Sequence, residues 1–252
     1  MTRPPTGLPD PRHPVWYFPV TAPTGETAGY AWADHTRAET GWLHRRAHST
    51  AVHDLAEEWA KKLYEAGERP GVQPLLLLAG LSREPGAGEV LGASGMDVVH
   101  RLAHRVEDSD DHRLLAELSP RGADEWRELR EAYEALTDAD RKVEWGGGER
   151  SESGAIQVPY PKYSAPLWRV VAALYELGAV TPEHRWTEWP WPELPAGGRL
   201  LPADAVRAAT ALLRAERMSE GGIDKAAQNG LFDAIVVSLL TCSPPVGGQH
   251  PA

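Results

Sequence analysis

Apolar positions in this chain recur mainly at three- and four-residue spacing, the period of an amphipathic helix. From 30 to 65 the pattern reads as helical: Val52, Leu55, Ala56, Trp59, Ala60 and Leu63 share one face, and Asp54, Glu57, Glu58, Lys61 and Lys62 take the other. Gly67 and Pro70 then stop that helix in the expected order. The leucine run at 75–78 is too short for its period to separate strand from helix, and helix is the reading preferred. The glycine-rich stretch 82–95 predicts a loop. Met96, Val99, Leu102, Ala103 and Val106 form a further helical stripe, ended by an acidic run at 107–111. A short helix at 112–118 and an amphipathic one at 123–136, carrying Trp126, Leu129, Tyr133 and Leu136, follow.

Beyond residue 140 the pattern changes. Residues 142–145 and 155–158, joined by a glycine-rich turn, predict a hairpin. Ser164 is placed to cap a helix over 166–177, with Gly178 as its stop. An aromatic and proline-rich loop spans 185–199, and 202–217 is Ala/Leu-rich and helical. The last helix is expected over 220–240, capped by Ser219 and weakened at Asn229-Gly230. The expectation is therefore a mainly α protein of two closely packed helical parts, with a small β-hairpin in the C-terminal part. Its divisions are a proline-rich extended arm at 1–28, helical parts at 29–118 and 119–242, and a loose tail at 243–252. Strand outside the hairpin is expected only at 15–20.

Composition narrows the function classes. The 252 residues are 42% hydrophobic and 25% charged, as in ordinary globular proteins. The formal net charge of -10 is shared evenly by the two halves, without the concentrated basic face that phosphate backbones require, so general nucleic-acid binding is disfavoured. The single cysteine, Cys242, leaves no intramolecular disulfide, and the first residues lack the apolar core of a signal peptide. No apolar run approaches membrane-spanning length. A cytoplasmic location is the expectation. Ten tryptophans against two phenylalanines is an unusual ratio, and tryptophan anchors cores and ligand pockets alike.

Some motifs in the second half also carry a resemblance. Trp145 precedes a glycine-rich stretch, Pro159-Tyr160-Pro161-Lys162-Tyr163-Ser164 opens a helix, and Leu174-Tyr175-Glu176-Leu177-Gly178 closes it. Trp186 and Trp189 follow, then Arg214, Arg217, Glu220 and Gly221 in an Arg-x-x-Arg-x-x-Glu-Gly pattern. From about 126 to 240 this order resembles an uncharacterised bacterial domain family known only by a domain-of-unknown-function label. The resemblance implies a shared fold and no particular chemistry. The first 120 residues resemble no family.

Two candidate sites emerge. Trp145, Tyr160, Tyr163, Trp186, Trp189 and Trp191 are aromatic candidates for a groove, with Arg150, Arg217 and Glu220 as its polar members, suited to a small-molecule or peptide ligand. The four-residue spacing of His44 and His48, and of His100 and His104, would put each pair on one helical face, with Asp108 continuing the second. Two such helices side by side would enclose a divalent metal. The leading expectation is thus a soluble binding or interaction protein acting through its C-terminal aromatic surface; the alternative is a metal-dependent enzyme with its site between two histidine-bearing helices. Gly86-Ala87-Gly88 departs from a dinucleotide fingerprint in its third glycine and lacks a strand–helix frame. Cys242 is a weak nucleophile candidate because no base stands near it in sequence.

Overall fold

The computed structural model describes residues 13–34, 36–118, 122–148, 150 and 158–244. The chain forms two compact units, Met1–Asp110 and Asp111–Ala252.

The first unit overturns the mainly α expectation, because it is built on a four-stranded antiparallel sheet. Its strands are β1 (Pro14–Thr21), β2 (Thr27–Asp34), β3 (Glu39–His44) and β4 (Leu91–Gly95), in the order β3-β2-β1-β4. The fold is mixed, with helix and sheet both substantial. The strand expected at 15–20 is present as β1, but as an inner strand of the sheet and not part of an extended arm; residues 1–12 of that arm lie outside the described residues. The expected helix over 30–65 is β2 and β3 as far as His44, and begins only with α1 (His53–Gly67). β4 replaces part of the predicted loop at 82–95.

The sheet is covered on both faces, which explains the misreading. Phe18, Val20, Ala31 and Ala33 face Trp59 and Leu63 of α1, and Leu78 and Leu81 of α2 (Pro74–Leu81). On the opposite face Val15, Tyr17 and Trp32 meet Met96 and Val99 of α3 (Met96–His104). A strand buried on both sides loses the apolar/polar alternation that identifies it in sequence. Alanine and glycine in β2 and β3 serve the tryptophans opposite them. Gly41 pairs with Trp32, and a Cβ there would come within 2.5 Å of the indole ring.

Two buried acids fix the connections. Asp34, fully buried at the end of β2, accepts from the backbone N–H and hydroxyl of Thr36 (both 2.8 Å) and from the Arg37 N–H (3.2 Å). Burial alone would raise its pKa, but these bonds and the neighbouring His13 prevail and hold the carboxyl below its ordinary value. Arg45, just past β3, makes a bidentate pair with Asp110, Nη2–Oδ2 2.6 Å and Nη1–Oδ1 3.1 Å, with both residues buried.

The second unit is helical, with α4 (Asp108–Ala116) leading into it. It contains α5 (Ala123–Glu134), α6 (Ala165–Glu176), α7 (Pro202–Glu216), α8 (Gly222–Gln228) and α9 (Leu231–Leu240). A two-stranded sheet pairs β5 (Glu144–Gly146) with β6 (Tyr160–Lys162). A strand pair therefore exists in the second unit, with 160–162 as the partner of 144–146; residues 155–157 of the expected return strand lie outside the described residues. α7 is apolar around most of its circumference and forms the centre of the core, packed with Leu167, Val170 and Leu174 of α6 and Phe232, Ile235 and Val236 of α9. Ser164 caps α6 through its hydroxyl, which accepts from the Leu167 N–H at 3.2 Å, and Gly178 follows that helix at φ 81°. The expected last helix is broken into α8 and α9 at Asn229-Gly230. Among the described residues no helix is long and apolar enough to cross a membrane.

The Arg45–Asp110 pair gives the first prediction. Asp110→Ala leaves the buried guanidinium only the half-exposed Glu107 carboxylate, 3.4 Å away, and should lower unfolding free energy by about 3–5 kcal/mol, measured by urea denaturation. A loss below about 1 kcal/mol, the range of a solvated pair, would contradict this account.

Candidate functional site

The strongest polar constellation of the second unit surrounds Glu216, the last residue of α7. Its side chain is nearly buried, and three donors converge on its carboxylate. The Tyr163 hydroxyl (2.5 Å) and the Gly221 N–H (2.8 Å) meet Oε1, and the Ile223 N–H (2.9 Å) meets Oε2. The two N–H groups belong to the start of α8 and would otherwise lack intrahelical partners. An acid of the preceding helix thus caps the following one from below, where the helix dipole favours negative charge. Gly221 adopts φ 102°, a left-handed conformation that suits glycine. Burial, and then the bond to Glu216, push the Tyr163 phenol well above its usual pKa, so it stays protonated as a donor.

This arrangement corrects the expected capping. Gly221, not Ser219, precedes α8, and Arg217 is the C-cap of α7. A cation there sits at the favourable end of the helix dipole, so Arg217 needs no partner for electrostatic reasons. Its guanidinium lies 5.2 Å from the ring centroid of Tyr175, in cation–π contact.

The turn borders a cleft of about 380 Å³. Val171, Leu213 and Ile223 supply apolar lining, and Tyr163, Trp168 and Tyr175 supply aromatic lining. Arg217 and Glu220 contribute opposite charges. Trp168 meets Tyr163 edge-on at 5.5 Å and is 49% exposed. The Tyr175 hydroxyl donates to the Leu213 carbonyl at 3.3 Å.

A second cleft of about 470 Å³ lies along another part of α7, lined by His184, Trp189, Trp191, Asp204 and Arg207 among others. The His184 ring is 5.5 Å from that of Trp189. Burial, reinforced by the Arg207 charge, lowers its pKa to about 4, so the ring is neutral. Arg207 is held by Asp111 (2.6 Å) and Asp204 (2.9 Å).

The expected single groove is thus divided. Tyr163, Arg217 and Glu220 line the first cleft; Trp189 and Trp191 line the second. Trp145 covers the α7–α8 turn from β5: its indole N–H donates to Asp224 at 3.0 Å, and its ring packs on Gly221. Tyr160 is exposed on β6, and Arg150 and Trp186 line neither cleft. Sequence reasoning missed Trp168, Tyr175, Glu216 and His184. Glu216 stands inside the Arg-x-x-Arg-x-x-Glu-Gly pattern, and that signal was available.

The histidines do not form the expected site. His44 ends β3 and His48 lies in the following loop, so helical spacing does not relate them. Their rings stack at 6.3 Å, and His48 stacks on His53 at 5.8 Å, with His48 Nδ1 against the Arg45 carbonyl. His100 and His104 do share α3, at 5.7 Å between rings. Burial, and then the Arg46 charge, lower both pKa values, and a guanidinium in that position repels a metal cation as well. Asp108 begins α4 and does not continue α3. Among the described residues no group of three or more His, Cys, Asp or Glu side chains is arranged to hold a metal ion. Burial raises the Cys242 pKa, leaving a thiol and not the reactive thiolate.

The second unit is a helical domain with a preformed aromatic cleft at a carboxylate-pinned turn. Residues 121–243 match the model of a family described as a family of unknown function, DUF6508, which bears out the resemblance of the C-terminal half to such a domain; the N-terminal part matches no family. No curated protein and no solved structure matches the chain.

Two outcomes test this geometry. Glu216→Ala leaves three donors without their acceptor and should cost roughly 2–4 kcal/mol, whereas Tyr163→Phe removes one donor and should cost about 1 kcal/mol, both by chemical denaturation. Equal, small losses would contradict the pinning role. His184 binds a proton more readily in the unfolded chain, whose value is about 6.5, than in the folded one. Its contribution is therefore complete above pH 6.5 and is lost progressively as pH falls toward 4, by roughly 3 kcal/mol in total. His184→Phe should flatten the stability–pH curve across that window; an unchanged slope would show that His184 does not produce it.

Proposed function

We propose that the second unit is a binding module, and that the cleft beside the α7–α8 turn takes a small ligand carrying a flat apolar group. The observation that carries this reading is Trp168, half exposed over an apolar lining and edge-on to an aromatic partner that Glu216 holds in place. The cleft volume, about 380 Å³, falls in the lower part of the range for small-molecule sites, roughly 300–1,000 Å³. Its composition, mainly apolar with few polar groups, fits the same class. The protein is read as soluble and cytoplasmic, in keeping with its one cysteine and its net negative charge. No observation favours the metal-dependent enzyme.

Saturation-transfer NMR of the full chain with indole and benzimidazole tests the proposal. Both probes should give signals that vanish in Trp168→Ala and persist in Trp189→Ala, which alters the second cleft. Signals lost with Trp189 and kept without Trp168 would contradict it.

A further inference from the structure

The polar groups of the first cleft fall into two sets. One set is committed to the protein itself. The Tyr163 hydroxyl goes to Glu216, the Tyr175 hydroxyl to the Leu213 carbonyl, and both oxygens of Glu216 are occupied. The other set consists of the Arg217 guanidinium and the Glu220 carboxylate. Both residues are exposed, and among the described residues neither has an ion-pair partner within 4.0 Å, not even the other. Arg217 rests on Tyr175, which orients its donors, and the turn between the two charges is fixed at both ends. The N–H groups of Met218 and Ser219 bond to the Ala215 carbonyl at 2.8 Å, and Gly221 bonds to Glu216.

A separated cation and anion beside an apolar lining is a complementary pattern for a ligand bearing both charges and a hydrophobic group. Resting on the cleft reading above, we infer that the occupant is a free α-amino acid with a bulky apolar side chain. The planar guanidinium suits the α-carboxylate, which accepts two parallel N–H bonds. Glu220 suits the α-ammonium group. The side chain enters among Val171, Leu213 and Ile223, against Trp168 and Tyr163. Glu220 also selects against phosphates, because it would stand beside a dianion that a single arginine does not neutralise. A simple carboxylic acid would leave Glu220 unmatched, and a simple amine would leave Arg217 unmatched.

Calorimetric titration of the full chain with L-phenylalanine, 3-phenylpropionate, phenethylamine, N-acetyl-L-phenylalanine amide and glycine tests the inference. L-phenylalanine should bind most tightly, with a loss of about tenfold or more on removal of either charge and no measurable glycine binding. Arg217→Ala should bring L-phenylalanine down to the level of phenethylamine, and Glu220→Gln down to that of 3-phenylpropionate. Because both residues are exposed, Glu220→Gln should leave the thermal midpoint unchanged, and Arg217→Ala should lower it only slightly, through loss of the Tyr175 contact. Equal binding of the four phenyl compounds, still dependent on Trp168, would overturn the zwitterion and leave the cleft reading standing. Binding that requires only one charge, or that glycine shares, would overturn it as well. If none of the compounds binds and the indole signal is indifferent to Trp168→Ala, both readings fail.

Discussion

The second unit depends on one carboxylate. Glu216 closes α7, starts α8 and holds Tyr163 through three hydrogen bonds on two oxygens. A carboxylate removed from water is costly unless its lone pairs are met, and here they are. The same contacts fix the residues between the helices, so Arg217 and Glu220 project from a turn with little freedom left to lose. A site built this way loses less conformational entropy on binding than a mobile loop would.

Tryptophan reinforces the arrangement. Trp145 covers Gly221 and donates to Asp224, and the Trp191 ring approaches within 3.5 Å of where a Cβ at Gly222 would stand. A side chain at Gly221 would collide with the Trp145 ring at 2.8 Å. Glycine is therefore required there by packing as well as by φ. Trp168 differs from Trp145 in having its exposed ring over a cleft and not over a turn, while Trp191 lines the second cleft as well. The abundance of tryptophan thus has two explanations within one unit, turn covering and cleft lining.

The sequence was most legible where local chemistry and burial agree. Ser164 and Gly178 delimit α6 as expected, and Asn229-Gly230 divides the last helical region. In the first unit α1, α2, α3 and the strand at 15–20 are legible, but β2 and β3 are not, because strands covered on both faces, with Ala31, Ala33 and Gly41 making room for Trp32, Trp42 and Trp59, carry no clear two-residue alternation. The same error placed His44 and His48 on a helix. Arg217 and Glu220 are legible as polar members of a groove, but the expected cap at Ser219 would set Arg217 just before a helix N-terminus, whereas it closes α7. The polar cap that matters comes from Glu216, whose partners Gly221 and Ile223 lie five and seven residues ahead, outside the usual short-range capping pattern. Trp168 sits in a mainly apolar helix, where tertiary structure reveals that its ring remains open beside the exposed Arg169.

The central claim is that the α7–α8 turn is pinned before any ligand arrives. Hydrogen exchange of the Gly221 and Ile223 amides in the unliganded full chain measures this directly, since both donate to Glu216. The account predicts that both exchange as slowly as core amides of α7 such as Leu213. Exchange of either amide at the rate of an unprotected loop would contradict it.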